Sequence, residues 1–179
     1  MSEGQLLLLR HAKSSWRDPS LADHDRPLNR RGRRAAVRMG EYLQEEGLLP
    51  DLVLCSTATR TRATWELASR SLLGGAPAHL LDRRLYHASP NDLLRVIADT
   101  AANARRLLVI GHNPGLEQLA LRLAGPTSDP ACVADLQQKY PTAALALFSC
   151  AASTWAELSE ETCRLVRFVV PAKLSPAPA

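Results

Sequence analysis

Four residues of this 179-residue chain have the types and positions needed to hold and attack a phosphoryl group. Arg10 and His11 directly follow the apolar run 6–9, Arg60 follows the run ending at Cys55, and His112 directly follows the run 107–111. Arginine presents a planar fork matched to phosphate oxygens, and two arginines neutralise a dianion. A neutral imidazole, with an ordinary pKa of about 6.5, is a competent nucleophile near pH 7. A second histidine can donate to a phosphoryl oxygen while charge redistributes. Phosphoryl transfer asks mainly for positioning and charge stabilisation, so this set implies chemistry without a metal or other cofactor. The histidines show no H-x-x-x-H or H-E-x-x-H spacing, and Cys55, Cys132, Cys150 and Cys163 form no C-x-x-C pair, so no metal site is expected.

The elements that must position these residues can be traced from periodicity. Residues 5–9 read as a buried strand, followed by a loop over 12–29 rich in Ser, Asp and Pro. A helix is expected over 31–47, with Ala36, Met39, Tyr42 and Leu43 inward and Gly47 as terminator. Residues 51–55 form a second strand. Ser56 or Thr57 then caps a helix reaching about Leu73, with Thr64, Leu67, Ala68 and Leu72 on its packed face. A weaker strand follows over 78–81. Ser89 and Pro90 open a helix with the stripe Leu93, Leu94, Ile97 and Ala101, at N-cap and first helical position. Residues 107–111 form the clearest strand, and Leu116, Leu119, Ala120 and Leu123 face one way in the helix after it. A looser segment containing Pro126, Pro130 and Pro141 precedes strands over 144–148 and 163–169. Strands alternating with helices imply an α/β fold, a three-layer α/β/α sandwich with a mostly parallel central sheet. Ligands of such sheets bind beyond the carboxyl ends of the strands, which brings Arg10, His11, Arg60 and His112 to one rim.

Bulk properties set the frame. The length suits one domain, expected over residues 1–173, with a disordered tail over 174–179. Hydrophobic residues make up 46% of the chain and no stretch approaches a membrane span, so no membrane partner is expected and the cytoplasm is the default location. The cysteines read as buried free thiols, with disulfides the minority reading. A net charge of +4 leaves room for anionic partners. The cluster Arg30, Arg31, Arg33, Arg34 and Arg38 reads first as a solvated helix face, and second as a patch facing a partner. Aromatic content of 4% gives no stacking platform for single-stranded nucleic acid, so no nucleic-acid partner is expected.

Several motifs resemble the histidine phosphatase superfamily, the phosphoglycerate mutase-like fold. Leu9-Arg10-His11-Ala12 is similar to its L-x-R-H-G signature, and the run 10–16 is particularly similar to SixA-like phosphohistidine phosphatases. Arg26-Pro27-Leu28-Asn29 with Gly32 resembles R-P-L-T-x-x-G, the stretch 56–64 resembles S-x-x-x-R-x-x-x-T, and 109–115 resembles the second-histidine motif. The resemblance implies a phosphatase in which His11 becomes phosphorylated while Arg10, Arg60 and His112 bind the phosphoryl group. Ser56 and Thr64 then shape the turn and helix rather than touch substrate. Arg62 competes with Arg60 for its role, and the spacing from Ser56 favours Arg60. Many members carry a glutamate proton donor after the third strand. His87 stands in that region, so it, Asp82 or no side chain serves as the acid. Arg17 stands where larger members often place an asparagine. An imidazole leaving group tolerates a missing carboxylate better than an alkoxide does, which favours phosphohistidine on a protein as substrate. With no long insertion to build a lid, the site is expected to be open. A small-molecule phosphomonoesterase, a mutase-like transferase and a non-catalytic phospho-binding module are the alternatives. Oligomeric state is not legible.

Overall fold

Four consecutive leucines set the layering of the molecule. In the computed structural model, which describes residues 3–100 and 103–174, they lie in strand β1 (Gly4–Arg10) and are buried on both faces. Successive side chains of a strand point to opposite faces. Leu6 and Leu8 accordingly enter one hydrophobic core while Leu7 and Leu9 enter the other. Helices α1 (Arg30–Glu45) and α2 (Thr59–Ser69) supply the core with Leu7 and Leu9. Helices α3 (Pro90–Thr100), α4 (Gly115–Leu123) and α5 (Pro130–Gln138) supply the opposite one. Each leucine so buried contributes about 1.5–3 kcal/mol.

The remaining strands are β2 (Leu52–Ser56), β3 (Ala78–Asp82), β4 (Arg106–Gly111), β5 (Leu145–Cys150) and β6 (Cys163–Val169). They form one sheet of order β3-β2-β4-β1-β5-β6. Pairing is parallel from β3 through β2 and β4 to β1, and antiparallel at β1/β5 and β5/β6, so β5 alone runs against the rest. This is the expected three-layer α/β/α arrangement with a mostly parallel sheet. Its register decides the site: Arg10 pairs with Gly111 and Cys55 with Ile110, so the chain leaves β1, β2 and β4 at adjacent points of one edge.

Helix α1 shows how local chemistry fixes its ends. Asn29 Oδ1 accepts from the Gly32 amide at 2.8 Å. At the other end Gly47 adopts φ +63°, and the Leu48 amide donates to the Leu43 carbonyl at 2.8 Å, closing the last turn.

Four local readings are corrected. Helix α2 begins at Thr59, two residues later than a Ser56 cap and one later than a Thr57 cap would place it; Ala58 is its N-cap and offers no side-chain bond, while the Ser56 hydroxyl is taken by His112 and that of Thr57 by His24. The helix also stops at Ser69, and Trp65 joins its buried face. Val96 joins the buried stripe of α3, while Ala101 lies outside the described residues, as do 175–179 of the expected tail. The proline-containing segment holds a helix after all: Asp129 caps α5 by accepting from the Cys132 amide at 2.9 Å, and Pro130 occupies the first turn. All four cysteines are free; Cys132 is half-buried, and Cys150 and Cys163 face each other across β5 and β6. No helix among the described residues is long and apolar enough to cross a membrane.

Gly40 sits where α1 crosses α2, and a Cβ there would stand 2.0 Å from the Ala68 carbonyl oxygen. Glycine to alanine in an open helix stabilises by roughly 0.5–1 kcal/mol. Gly40→Ala is instead expected to destabilise by about 1–3 kcal/mol through overpacking, read as a lower thermal midpoint.

Candidate active site

His11 is the first residue past β1, and its amide donates to the Gly111 carbonyl at 3.1 Å. Its side chain is 8% exposed. Nδ1 lies 2.8 Å from the Ala12 carbonyl oxygen. A carbonyl can only accept, so Nδ1 carries the proton and Nε2 keeps the lone pair. Burial lowers the His11 pKa to about 4, with the Arg60, Arg10 and Arg26 charges adding and the Ala12 bond opposing. The ring is therefore neutral at pH 7. Thr64 pins the loop beneath it, accepting from the Ala12 amide at 3.0 Å and donating to the Arg60 carbonyl at 2.6 Å.

His112 follows β4 in the same way, and the two imidazole centroids are 5.1 Å apart. Arg60, from the first turn of α2 and 3% exposed, places Nη2 3.3 Å from His112 Nδ1. A guanidinium only donates, so Nδ1 of His112 accepts and its Nε2 hydrogen goes to Ser56 Oγ at 2.8 Å. Burial, followed by the neighbouring His11 and Arg60 charges, holds His112 far below its usual pKa.

Asp23, in the short 3₁₀ turn Asp23–Asp25, ties the arginines together. Its Oδ2 accepts from Arg60 Nη2 at 2.9 Å and from the Tyr86 hydroxyl at 2.7 Å, and its Oδ1 accepts from Arg26 Nη2 at 2.6 Å. Burial pushes the carboxyl pKa up. The Tyr86 and Arg26 hydrogen bonds and the Arg60 charge outweigh it and hold the group well below the carboxylate range. Asp23 is thus an anion that cannot donate a proton at neutral pH.

Arg10 donates Nη1 to the Tyr140 carbonyl at 2.7 Å, while the buried Tyr140 hydroxyl bonds Leu8 and Ala146. Among the described residues only three buried side-chain polar atoms lack a partner, and two are the Nε atoms of Arg10 and Arg60. Buried donors are ordinarily satisfied, so these two guanidiniums are held short of full pairing. Arg10, His11, Arg60 and His112 line one cavity of about 520 Å³, together with Asp23 and His87.

His87 follows Tyr86 in the turn after β3. Its ring stacks 5.9 Å from that of His112, its Nε2 lies 3.4 Å from Asp23 Oδ2, and its side chain is 60% exposed. It adopts φ +55°, a left-handed conformation uncommon for a residue with a side chain. Gly115 allows this turn to come close, since a Cβ there would meet the Ala88 carbonyl at 1.9 Å. The other candidates lie elsewhere. Arg62 is exposed on α2, Arg17 is exposed on the opening loop, and Asp82 is committed to Arg84. None of the three lines the cavity. The mouth is open on the side of Trp16, which is 75% exposed and stacks on the Arg26 guanidinium. Asp23 and Tyr86 escape sequence reasoning, because neither belongs to a periodic pattern and each meets Arg60 only through a long-range contact.

The sequence pattern of the Histidine phosphatase superfamily (branch 1) matches residues 6–84. An uncharacterized protein of Mycobacterium tuberculosis is 41% identical over 164 residues, covering 91% of this chain and 99% of that one. A structure from Nakamurella multipartitia, provisionally described as a phosphohistidine phosphatase SixA, superposes with a TM-score of 0.81 at 28% identity, covering 96% of this chain and 98% of that one. A 2,3-bisphosphoglycerate-dependent phosphoglycerate mutase of Streptomyces avermitilis is 44% identical over 69 residues, 37% of this chain and 27% of the mutase. The chain belongs to the histidine phosphatase superfamily, and these likenesses support a phosphatase.

The depressed histidine pKa values make stability depend on pH. Between pH 6.5 and 4 the unfolded chain takes up a proton at His11 that the folded chain refuses, so stability falls as pH falls. His11 alone is expected to account for about 3 kcal/mol of that loss. Denaturant unfolding at both ends of the window should show it, and His11→Gln should flatten the dependence by that share.

Proposed function

We propose that the chain is a phosphatase that hydrolyses phosphohistidine on a protein substrate, without a metal, through a covalent phosphohistidine at His11, with residues 1–173 as one catalytic unit. The observation that carries this reading is the state of His11: neutral, with Nδ1 committed to Ala12 and Nε2 left as the nucleophile. Nε2 attacks phosphorus, the bond from phosphorus to the substrate imidazole breaks, and that imidazole takes up a proton. Water then attacks phospho-His11, releasing phosphate and restoring the neutral ring. Arg10 and Arg60, which line the cavity, hold phosphoryl oxygens through their guanidinium donors. His112, neutral and lining the same cavity, donates its Nε2 hydrogen to a phosphoryl oxygen in place of Ser56 Oγ as charge builds there. His87 reaches the cavity from the solvent side and is assigned as the proton donor. Asp23, anionic, is excluded from that role and instead orients Arg60.

The choice of phosphohistidine rests on the leaving group. Imidazole departs with a conjugate-acid pKa of about 6.5, so an exposed histidine suffices as donor. The open mouth at Trp16 admits a side chain presented by a protein. A second reading, a small-molecule phosphomonoesterase or mutase-like transferase, is favoured by the partial match to the mutase.

His11→Ala is expected to abolish phosphate release from an aryl phosphate while EDTA leaves the wild type unaffected; full activity in the variant ends the proposal. His87→Ala should lower kcat for an aryl phosphate by 10²-fold or more, in the range typical of general acids, yet lower phosphohistidine hydrolysis much less. Preference for sugar or nucleotide phosphates over a phosphohistidine protein, by orders of magnitude, would move the assignment to the second reading.

A further inference from the structure

A second basic groove adjoins the cavity and is not needed to hold one phosphoryl group. It encloses about 270 Å³ and is lined by Lys13, Arg31, Arg34 and Arg38 with Pro141 and Thr142. No carboxylate lines it, and Lys13, Arg31, Pro141 and Thr142 also line the catalytic cavity, so the two are continuous. Arg38 is engaged by Glu41 and Glu45. The side chains of Lys13, Arg31 and Arg34 are exposed and have no hydrogen-bond or ion-pair partner among the described residues.

The position of these cations is costly to the helix and rigidly set. Arg30, Arg31, Arg33 and Arg34 occupy the first turns of α1, and no acidic residue is present there. The amino-terminal end of a helix favours negative charge, so this arrangement opposes the helix dipole. Rule-breaking of this kind is expected where function demands it. The helix start is also locked to the catalytic loop. A Cβ on Gly32 would stand 2.2 Å from the Lys13 carbonyl oxygen, which itself accepts from the Asn29 amide at 3.0 Å. Lys13 and the arginines therefore keep a fixed relation to His11, two residues upstream of Lys13.

The geometry points to a subsite for an acidic segment of a phosphorylated protein, lying along α1 next to the residue that carries the phosphoryl group; the inference rests on the phosphatase reading above. Arg31 and Arg34 stand one helical turn apart, about 4.5 Å along the axis, with Lys13 beside the catalytic cavity, whereas Arg38 is held by Glu41 and Glu45. Such a line matches successive carboxylates of a chain better than one compact second phosphate. The open groove is in keeping with a polypeptide, and its charge would speed encounter with an acidic one.

Two phosphotyrosine peptides, which are aryl phosphates carried on a chain, test this: one flanked by glutamates, one by alanines. The wild type is expected to favour the acidic peptide about tenfold in kcat/KM, with the gain in KM and lost at high salt. Arg31→Ala/Arg34→Ala should abolish the preference, read as the ratio of kcat/KM for the two peptides. Arg34→Ala alone, a change outside the catalytic cavity, should weaken it while turnover of a free aryl phosphate stays within twofold. Arg30→Ala/Arg33→Ala removes equal charge from residues that do not line the groove and should keep the preference. No preference in the wild type, or equal loss in both double variants, overturns the subsite. A small bisphosphate that depends on Arg31 and Arg34 when the acidic peptide does not would also overturn it. Binding of both peptides to His11→Ala, followed by fluorescence anisotropy, reads the subsite without turnover. Failure of the wild type on the free aryl phosphate strikes the phosphatase reading, whereas normal turnover with no acidic preference strikes only the subsite.

Discussion

The parallel ladder between β1 and β4 carries the rest of the structure. Its register sets Arg10 beside Gly111, so that His11 and His112 emerge from neighbouring strands with their rings 5.1 Å apart. A slip of one residue would carry Gln5 or Arg10 into a position now filled by a buried leucine, so the polar ends of the run protect the register. The same pairing that minimises apolar exposure therefore sets the spacing of the two imidazoles. Packing and chemistry depend on one set of backbone hydrogen bonds.

Electrostatics at the strand ends follow from that placement. Two histidines beside Arg10 and Arg60, largely removed from water, must be neutral, because burial and the arginine charges both oppose protonation. Neutrality leaves His11 with the free lone pair that the proposed nucleophile requires, and the same burial costs stability at low pH. Asp23 offsets part of the arginine charge and holds two guanidiniums and a phenol in a fixed arrangement. Much of the geometry required by a phosphoryl group thus exists before any ligand arrives, which is how electrostatic catalysis avoids reorganisation.

Departures from local rules gather around the cavity. His87 holds a left-handed backbone, the Nε atoms of Arg10 and Arg60 lack partners, and the first turns of α1 carry four arginines against the dipole. Each is unfavourable taken alone, and the surrounding scaffold supports all of them. Conflict between local preference and observed structure is a signature of a site.

The sequence by itself determined the alternation of strands and helices, the burial of 6–9, and the residues that stand at the ends of β1 and β4. These are readable because period and strand termini are local properties, and the sheet then carries them to one edge. Arg10, His11 and His112 are named by such local signals, and Arg60 by its spacing from Ser56. What only the tertiary structure decided lies between elements distant in the chain. Asp23 meets Arg60 and Tyr86 across 37 and 63 residues, and no periodicity links them. The Ser56 hydroxyl serves His112 instead of capping α2, a competition settled by the β2/β4 pairing. Helix α5 was hidden because prolines that flank a helix read locally as breakers. The protonated nitrogen of each imidazole was likewise set by partners that folding supplies, Ala12 for His11 and Arg60 for His112, since a tautomer answers to its neighbours and not to sequence.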